Sequence, residues 1–231
     1  MERSALRMGA GAAAAGGVLA MVGNLLHPRW TDIDDDELYE NIADSGIWVV
    51  DHLVLVVALV LTVGGVTALA RSMEVGTGHA LARYGLLATV VGGAVAIADV
   101  SLDATAMRQA AENFAEASPQ DRVGAFWAAN AVDQVGTAMF HMWTVVLLGV
   151  SPILLGMAAV RTGRYPAWMA WAAIVGGVAA VLTGMAGLAG AEGDDLTLPF
   201  LAGSLLVTVW VIGAGVHLWR TVEREPTTVA H

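Results

Sequence analysis

Residues 50–70 read VDHLVLVVALVLTVGGVTALA, and between Asp51 and Arg71 they carry no charged side chain. As a helix, with a rise of about 1.5 Å per residue, a stretch of this length spans about 30 Å, the thickness of a bilayer's hydrocarbon core. It lacks the alternation of a barrel strand, and a backbone in lipid must satisfy its own hydrogen bonds. The stretch therefore predicts a transmembrane helix.

Five further apolar runs have the same character. The predicted spans are residues 8–27, 50–70, 84–104, 138–160, 167–189 and 199–219. Hydrophobic residues make up 57% of the 231 and charged residues 14%, and the mean hydropathy is +0.66, which is typical of a chain whose main solvent is lipid. We expect an all-α integral membrane bundle of six transmembrane helices, forming a single membrane domain over residues 1–231. The first run has no A-x-A cleavage site after it, so we expect it to be retained.

The distribution of arginine predicts the orientation. One side of the predicted topology collects Arg3, Arg7, Arg71, Arg83, Arg161, Arg164, Arg220 and Arg224, and the other only Arg29, Arg108 and Arg122. Short cytoplasmic loops carry an excess of basic residues. We therefore expect a multi-pass protein of the cell membrane with both termini in the cytoplasm.

The composition excludes several kinds of chemistry. The chain has no cysteine, which excludes disulfides, thiolate metal sites, iron-sulfur clusters and covalent haem attachment. All eleven basic residues are arginine, so a retinal Schiff base is excluded too. No phosphate-binding glycine loop, Ser/His/Asp nucleophile pattern or basic patch is found, and we expect no nucleic-acid partner.

The loops on the acidic side suggest two surface elements. Acidic residues in the stretch 32–36 resemble the start of a calcium loop, but Glu37 and Ala43 stand where that pattern needs Gly and Glu. A short acidic helix capped by Thr31 is the interpretation that we favour.

A second element follows span three. Ser118 as N-cap and Pro119 at the first helical position predict a helix start, so that spans three and four continue into an outer helical hairpin over residues 105–137. Its predicted apolar seam consists of Phe114, Phe126 and Trp127. The alternative is a hairpin lying flat in the interface.

An approximate internal repeat groups the spans into three helical hairpins. The odd-numbered spans contain the pairs Gly16-Gly17, Gly92-Gly93 and Gly176-Gly177, and eleven residues after the first glycine of each pair stand His27, Asp103 and Gly187. Two even-numbered spans begin with a histidine, His52 and His141, which precede Arg71 and Arg161 by nineteen and twenty residues. The third hairpin has lost its polar groups.

The repeat places ionisable residues at one depth. His27, His52, Asp103 and His141 each lie about 30 Å along a helix from a cytoplasmic arginine, near the outer membrane boundary. Asp51, Asp99, Asp133 and Asn24 stand next to them or within a few helical turns. A charged side chain at the bilayer centre costs roughly 2.5–3.5 kcal/mol, so such groups usually face the bundle interior. The plain alternative is that Asp99 and Asp103 pair with Arg108 or Arg122.

Three imidazoles and a carboxylate form a ligand set suited to zinc or iron. The metal ligands are then His27, His52, His141 and Asp103. Asp103 and Asp51 are the candidate catalytic residues, with Asp103 as fourth ligand or general base and Asp51, or alternatively Asp133, as the group that orients an imidazole. Asp99, Asp133 and Asn24 would form a second shell or proton path. The site would hydrolyse a bond in a lipid-borne substrate. The expected partners are the bilayer and a lipid or small-molecule ligand at the outer face.

Three other functions stay open on the sequence alone. An Asp/His layer could couple transport to a proton or cation, although the inner halves of the spans are apolar. His52 and His141 could hold haem b. A non-catalytic protein could bind a partner through its outer hairpin.

Overall fold

A computed structural model describes residues 3–28, 33–74, 76–191 and 194–224. It is about 90% helix and has no strand in that part of the chain. The α-helices are α1 Arg3–Leu26, α2 Asp35–Asp44, α3 Trp48–Ser72, α4 His79–Leu102, α5 Arg108–Ala115, α6 Arg122–Trp143, α7 Ser151–Thr162, α8 Ala167–Leu188 and α9 Asp194–Arg224. Two π-helical segments, Asp103–Met107 and Thr144–Val150, join α4 to α5 and α6 to α7.

Six helical stretches are long and apolar enough to cross a membrane, which confirms that prediction. They are Arg3–Leu26, Trp48–Ser72, Gly76–Ala115, Arg122–Thr162, Ala167–Leu188 and Leu196–Arg224. The third and fourth are 40 and 41 residues long, far more than the roughly 20 that a bilayer needs. They therefore continue past the membrane at one end of the bundle.

The spanning helices form a ring. Each packs against the next in sequence, in the order α1, α3, α4, α7, α8 and α9, and α9 closes on α1. A ring gives every helix two neighbours, so it does not by itself divide the spans into hairpins. The three-hairpin grouping and the orientation of the termini stay predictions.

The three Gly-Gly pairs follow one rule within this ring. The first glycine of each pair faces the following span: Gly16 lies against Thr62, Gly92 against Leu147 and Gly176 against Leu206. The second glycine of each pair faces the preceding span around the ring, which for α1 is α9: Gly17 lies against Ile212, Gly93 against Val63 and Gly177 against Gly149. Residues without a side chain let helix backbones approach closely, so each pair serves two interfaces at once.

A small three-helix cap covers the end of the bundle that carries His27, His52 and Asp103, called here the polar end. Helices α2, α5 and α6 pack there around Tyr39, Ile42, Met107, Phe114 and Ala129. Of the predicted seam, Phe114 is buried and Phe126 packs beside it, whereas Trp127 is 63% exposed, so its assignment to the seam was wrong.

Both predicted helix starts in the cap lie a few residues too early. Asp34 caps α2, since its side chain accepts a hydrogen bond from the Glu37 amide at 2.9 Å; the expected cap, Thr31, lies outside the described residues. Helix α6 begins at Arg122, not at Pro119. Ser118 instead opens a turn in which its hydroxyl donates to Asp121 at 2.7 Å.

The dipeptide Ser151-Pro152 directly follows the π-helical segment Thr144–Val150, and the proline lies in the first turn of α7. Proline has no backbone N–H and its ring crowds the carbonyl four residues earlier, so a wider turn before it relieves the conflict. The other π-helical segment begins at Asp103. Such segments are often found at functional sites, and both lie close to the residues described next.

Candidate functional site

The core of the polar end is a carboxylate held between two imidazoles. Asp51, in the first turn of α3, is 2% exposed. Its Oδ2 lies 2.8 Å from Nδ1 of His27, at the end of α1, and its Oδ1 lies 3.0 Å from Nδ1 of His52. Oδ1 also accepts the His52 backbone N–H at 2.9 Å. In the part of the chain that the structure describes, His27, Asp51 and His52 are the one group of three whose candidate ligand atoms all lie within 4.8 Å of one another.

The hydrogen bonds of His52 determine its tautomer. Nδ1 lies 2.6 Å from the backbone oxygen of Trp48, and because a carbonyl oxygen can only accept, Nδ1 must carry the proton. In the neutral ring the lone pair is then on Nε2, which lies 3.8 Å from Oδ2 of Asp103. That separation is too long for a hydrogen bond. The free nitrogen and the carboxylate thus face each other across a gap.

Trp48, which was not predicted as part of the site, supports this arrangement. Its ring centroid lies 4.5 Å from that of His52 and 5.3 Å from that of His27. Its indole Nε1 donates to the backbone oxygen of Asp103 at 2.8 Å. The spacing of four residues between Trp48 and His52 was the available signal, since it brings two side chains onto one face of a helix.

On the other side of Asp103 lies a pocket of about 180 Å³, called here the carboxylate pocket. It is lined by Asp99, Asp103, Asp133, Gly136, Thr137 and Phe140. Asp99 is 4% exposed, and its Oδ2 accepts the indole N–H of Trp143 at 2.8 Å. Its Oδ1 is buried and has no hydrogen-bond partner among the described residues. Neither Trp143 nor Gly136 was predicted, because the prediction for this end rested on its smaller polar side chains and its histidines.

Arg108 and Arg122, the arginines that the structure describes near the polar end, belong to the cap. Arg108 donates to Glu112 at 2.6 Å and to two backbone carbonyls after α2 and at its end. Arg122 donates to Glu40 at 2.6 Å. The alternative in which either arginine neutralises the aspartates of the pocket is therefore wrong, because both guanidinium groups hold the three cap helices together.

The structure places two other predicted residues outside the group. His141 lies on the side of α6 that faces α8, where a Cβ at Gly187 would overlap its ring; its Nδ1 is buried without a hydrogen-bond partner among the described residues. His141 therefore does not join His27 and His52. Asn24 donates to the Ala20 carbonyl of its own helix at 2.8 Å.

These features define a multi-pass α-helical membrane protein with a buried His/Asp cluster at one end of its helix ring. Comparison with known proteins places the chain in a family, matched over residues 10–215, that is described as a domain of unknown function, DUF4386. The chain belongs to that family. No curated protein and no solved structure matches it. Since the family description gives no activity, any function must be argued from the cluster itself.

Proposed function

We propose that this membrane protein binds one divalent transition-metal ion, zinc or iron, at the outer membrane boundary through His27, His52 and Asp103. The observation that carries the proposal is the position of Asp51, whose carboxylate meets Nδ1 of both imidazoles. Histidines that bind metal usually direct their other ring nitrogen at a carboxylate or a backbone carbonyl, which fixes the tautomer and the ring orientation.

The contacts of His52 fit the role of a ligand. With Nδ1 bound to the Trp48 carbonyl, Nε2 is the nitrogen left to coordinate. Two ligand atoms on a tetrahedral zinc ion, with bonds of about 2.1 Å, lie about 3.4 Å apart. The 3.8 Å between His52 Nε2 and Asp103 Oδ2 is close to that value. A shift of a few tenths of an ångström would let both bind the same ion.

Asp51 takes the role of a positioning residue. Its two oxygens already accept from His27 and from His52, so it holds both rings in place. A zinc ion with three protein ligands keeps one position open and activates water for attack at neutral pH. Hydrolysis of a lipid-borne substrate, with Asp103 next to the water, is the reaction that we propose for the site.

The other functions have less support in the contacts. For haem b, the rings of His52 and His141 would have to face each other from opposite sides of one iron, but the first ring packs on Trp48 and the second faces α8. For transport, the interior towards the arginine-rich end would have to open, but it is packed by an apolar cluster that includes Leu69 and Leu155. Partner binding by the outer hairpin stays a prediction.

Metal analysis by mass spectrometry tests the proposal on protein purified in detergent from cells grown with zinc and iron. We expect about one ion per chain, lost in His52→Ala and Asp103→Ala. His217→Ala is the matched control, because His217 lies near the C-terminal end of α9, at the arginine-rich end of the bundle, with Nε2 3.2 Å from the Arg164 carbonyl oxygen. His141→Ala should also retain the ion.

Asp51→Asn separates positioning from direct binding. Loss of an orienting partner typically lowers metal affinity 10- to 100-fold, so this variant should still load at high metal concentration. The proposal fails if the wild-type protein carries no stoichiometric transition metal. It also fails if the His217 control loses as much metal as His52→Ala.

A further inference from the structure

The carboxylate pocket has no counter-charge among the described residues. Three aspartates line it, Asp99, Asp103 and Asp133, while Arg108 and Arg122 are engaged in the cap. Carboxylates at membrane depth are costly unless a positive charge or a hydrogen-bond donor contacts them. Asp99 carries the strongest sign of such a need, since its Oδ1 is buried and lacks a donor among the described residues.

The shape of the pocket favours a molecule over a bare metal ion. Calcium and magnesium need oxygen ligands within about 2.0–2.6 Å of the ion. The three aspartates do not offer oxygen atoms that all lie within 4.8 Å of one another in the described chain. At about 180 Å³ the pocket instead has room for a small organic group.

We propose that the carboxylate pocket binds a primary ammonium group. Its N–H bonds would supply the donor that Asp99 Oδ1 lacks, and its charge would offset those of Asp103 and Asp133. Phe140 lines the same pocket, and an aromatic face attracts a cation. The pocket shares Asp103 with the proposed metal site, but the inference rests on Asp99 and Asp133, which lie outside the group formed by His27, Asp51 and His52.

Two sources could supply the ammonium group. A free amine could enter from solution at the polar end, or the headgroup of an amino-lipid could enter from the bilayer. Both present the same chemistry to Asp99. The experiment therefore uses a soluble probe and varies the lipid.

Gly136 offers a variant that blocks the pocket without changing its charge. A Cβ at this position would lie 3.6 Å from Oδ1 of Asp99 and 3.6 Å from Oδ1 of Asp103, both ordinary contacts. Gly136→Ala should therefore fold normally while its methyl group occupies the space that faces both oxygens. Gly124 is on the same helix and its Cβ would meet nothing within 4 Å, so Gly124→Ala is the matched control.

The measurement is equilibrium dialysis of radiolabelled methylammonium against purified protein in non-ionic detergent. We expect saturable binding of one methylammonium per chain, weakened at least tenfold in Asp99→Asn, Asp133→Asn and Gly136→Ala and unchanged in Gly124→Ala. Tetramethylammonium, which has no N–H, should compete at least tenfold less well than unlabelled methylammonium. Retained helical circular dichroism shows that a variant is folded.

The lipid arm repeats the dialysis in nanodiscs. Binding suppressed by phosphatidylethanolamine but not by phosphatidylglycerol supports the lipid headgroup as the source, and binding in both supports a free amine. The absence of saturable methylammonium binding in detergent overturns the proposal. So does equal binding by Gly136→Ala, equal competition by tetramethylammonium, or competition by Mg²⁺ or Ca²⁺ at lower concentration than the amine.

Discussion

Two adjacent glycines in α3 should respond to the same substitution with opposite signs. Gly65 is buried against α1, where a Cβ would overlap the backbone N and Cα of Ala13 and lie 2.6 Å from its Cβ. Relief requires the two helices to move apart, and overpacking of this kind costs about 1–3 kcal/mol. The gain in helix propensity from Gly to Ala, up to about 1 kcal/mol, offsets only part of it. At Gly64 a Cβ meets nothing within 4 Å, so only the gain of about 0.5–1 kcal/mol remains.

The free energy of unfolding can be measured by titrating SDS into detergent-solubilised protein and following the fluorescence of the eight tryptophans. We expect Gly65→Ala to be less stable than wild type, and Gly64→Ala to be as stable or more stable, with a difference of about 2 kcal/mol between them. Since the two variants have the same composition and differ only by one position on the same helix, detergent effects cancel in the comparison. If Gly65→Ala is as stable as Gly64→Ala, the close packing of α1 on α3 is refuted.

Three further predictions address the cap, the arginine-rich end and His141. Phe114→Ala, at a side chain that is 0% exposed, should cost about 3–5 kcal/mol in the same unfolding assay; a near-neutral result would show that the cap adds little to stability. Burial raises the pKa of Tyr165 to about 12, above its unfolded value of about 10. The stability that the neutral Tyr165 side chain contributes is therefore complete below about pH 10. It is lost, by roughly 3 kcal/mol, as the pH rises to about 12. Tyr165→Phe, which also removes the 2.7 Å hydrogen bond to Ser72, should lack that part of the alkaline decline; an identical pH profile would contradict the assignment. Gly187→Ala should be destabilising because of the His141 ring, and His141→Ala should rescue it with a coupling of about 0.5–3 kcal/mol, whereas strictly additive effects would argue against the contact.

The six spanning helices could be predicted because length and hydropathy alone decide them. Arg71 ends the apolar run of α3, and the helix stops within two residues of it. The places where prediction failed depend on packing. Nothing in residues 144–150 distinguishes a π-helical turn from an α-helical one, since the choice follows from Pro152 and from the neighbouring helices. The N-cap of α2 was misplaced because several residues before it could cap a helix equally well.

For the site, counting residues along each helix predicted the depth of a side chain in the membrane but not which neighbouring helix it faces. His27, His52 and Asp103 were expected at one level; in the structure both histidines contact Asp51, and Asp103 Oδ2 lies 3.8 Å from His52 Nε2. His141 was expected at the same level, but it faces α8, because position along a helix does not fix which neighbour a side chain meets in a ring. The two indole donors, Trp48 and Trp143, were hidden by the general preference of tryptophan for membrane interfaces.

The charged residues at the polar end fall into two groups, arginine ion pairs in the cap and buried aspartates without an arginine partner among the described residues. Arg108 forms an ion pair with Glu112, and Arg122 forms one with Glu40. Both pairs are partly exposed, and such pairs add little stability. Asp51 and Asp99, which are almost completely buried, have indole, imidazole or amide donors and no arginine among the described residues. If these carboxylates only held helices together, a partner arginine for each, or apolar side chains of similar size in their place, would stabilise the fold more. The position of these carboxylates beside a histidine pair and an open pocket therefore favours binding of a positively charged ligand over a purely structural role.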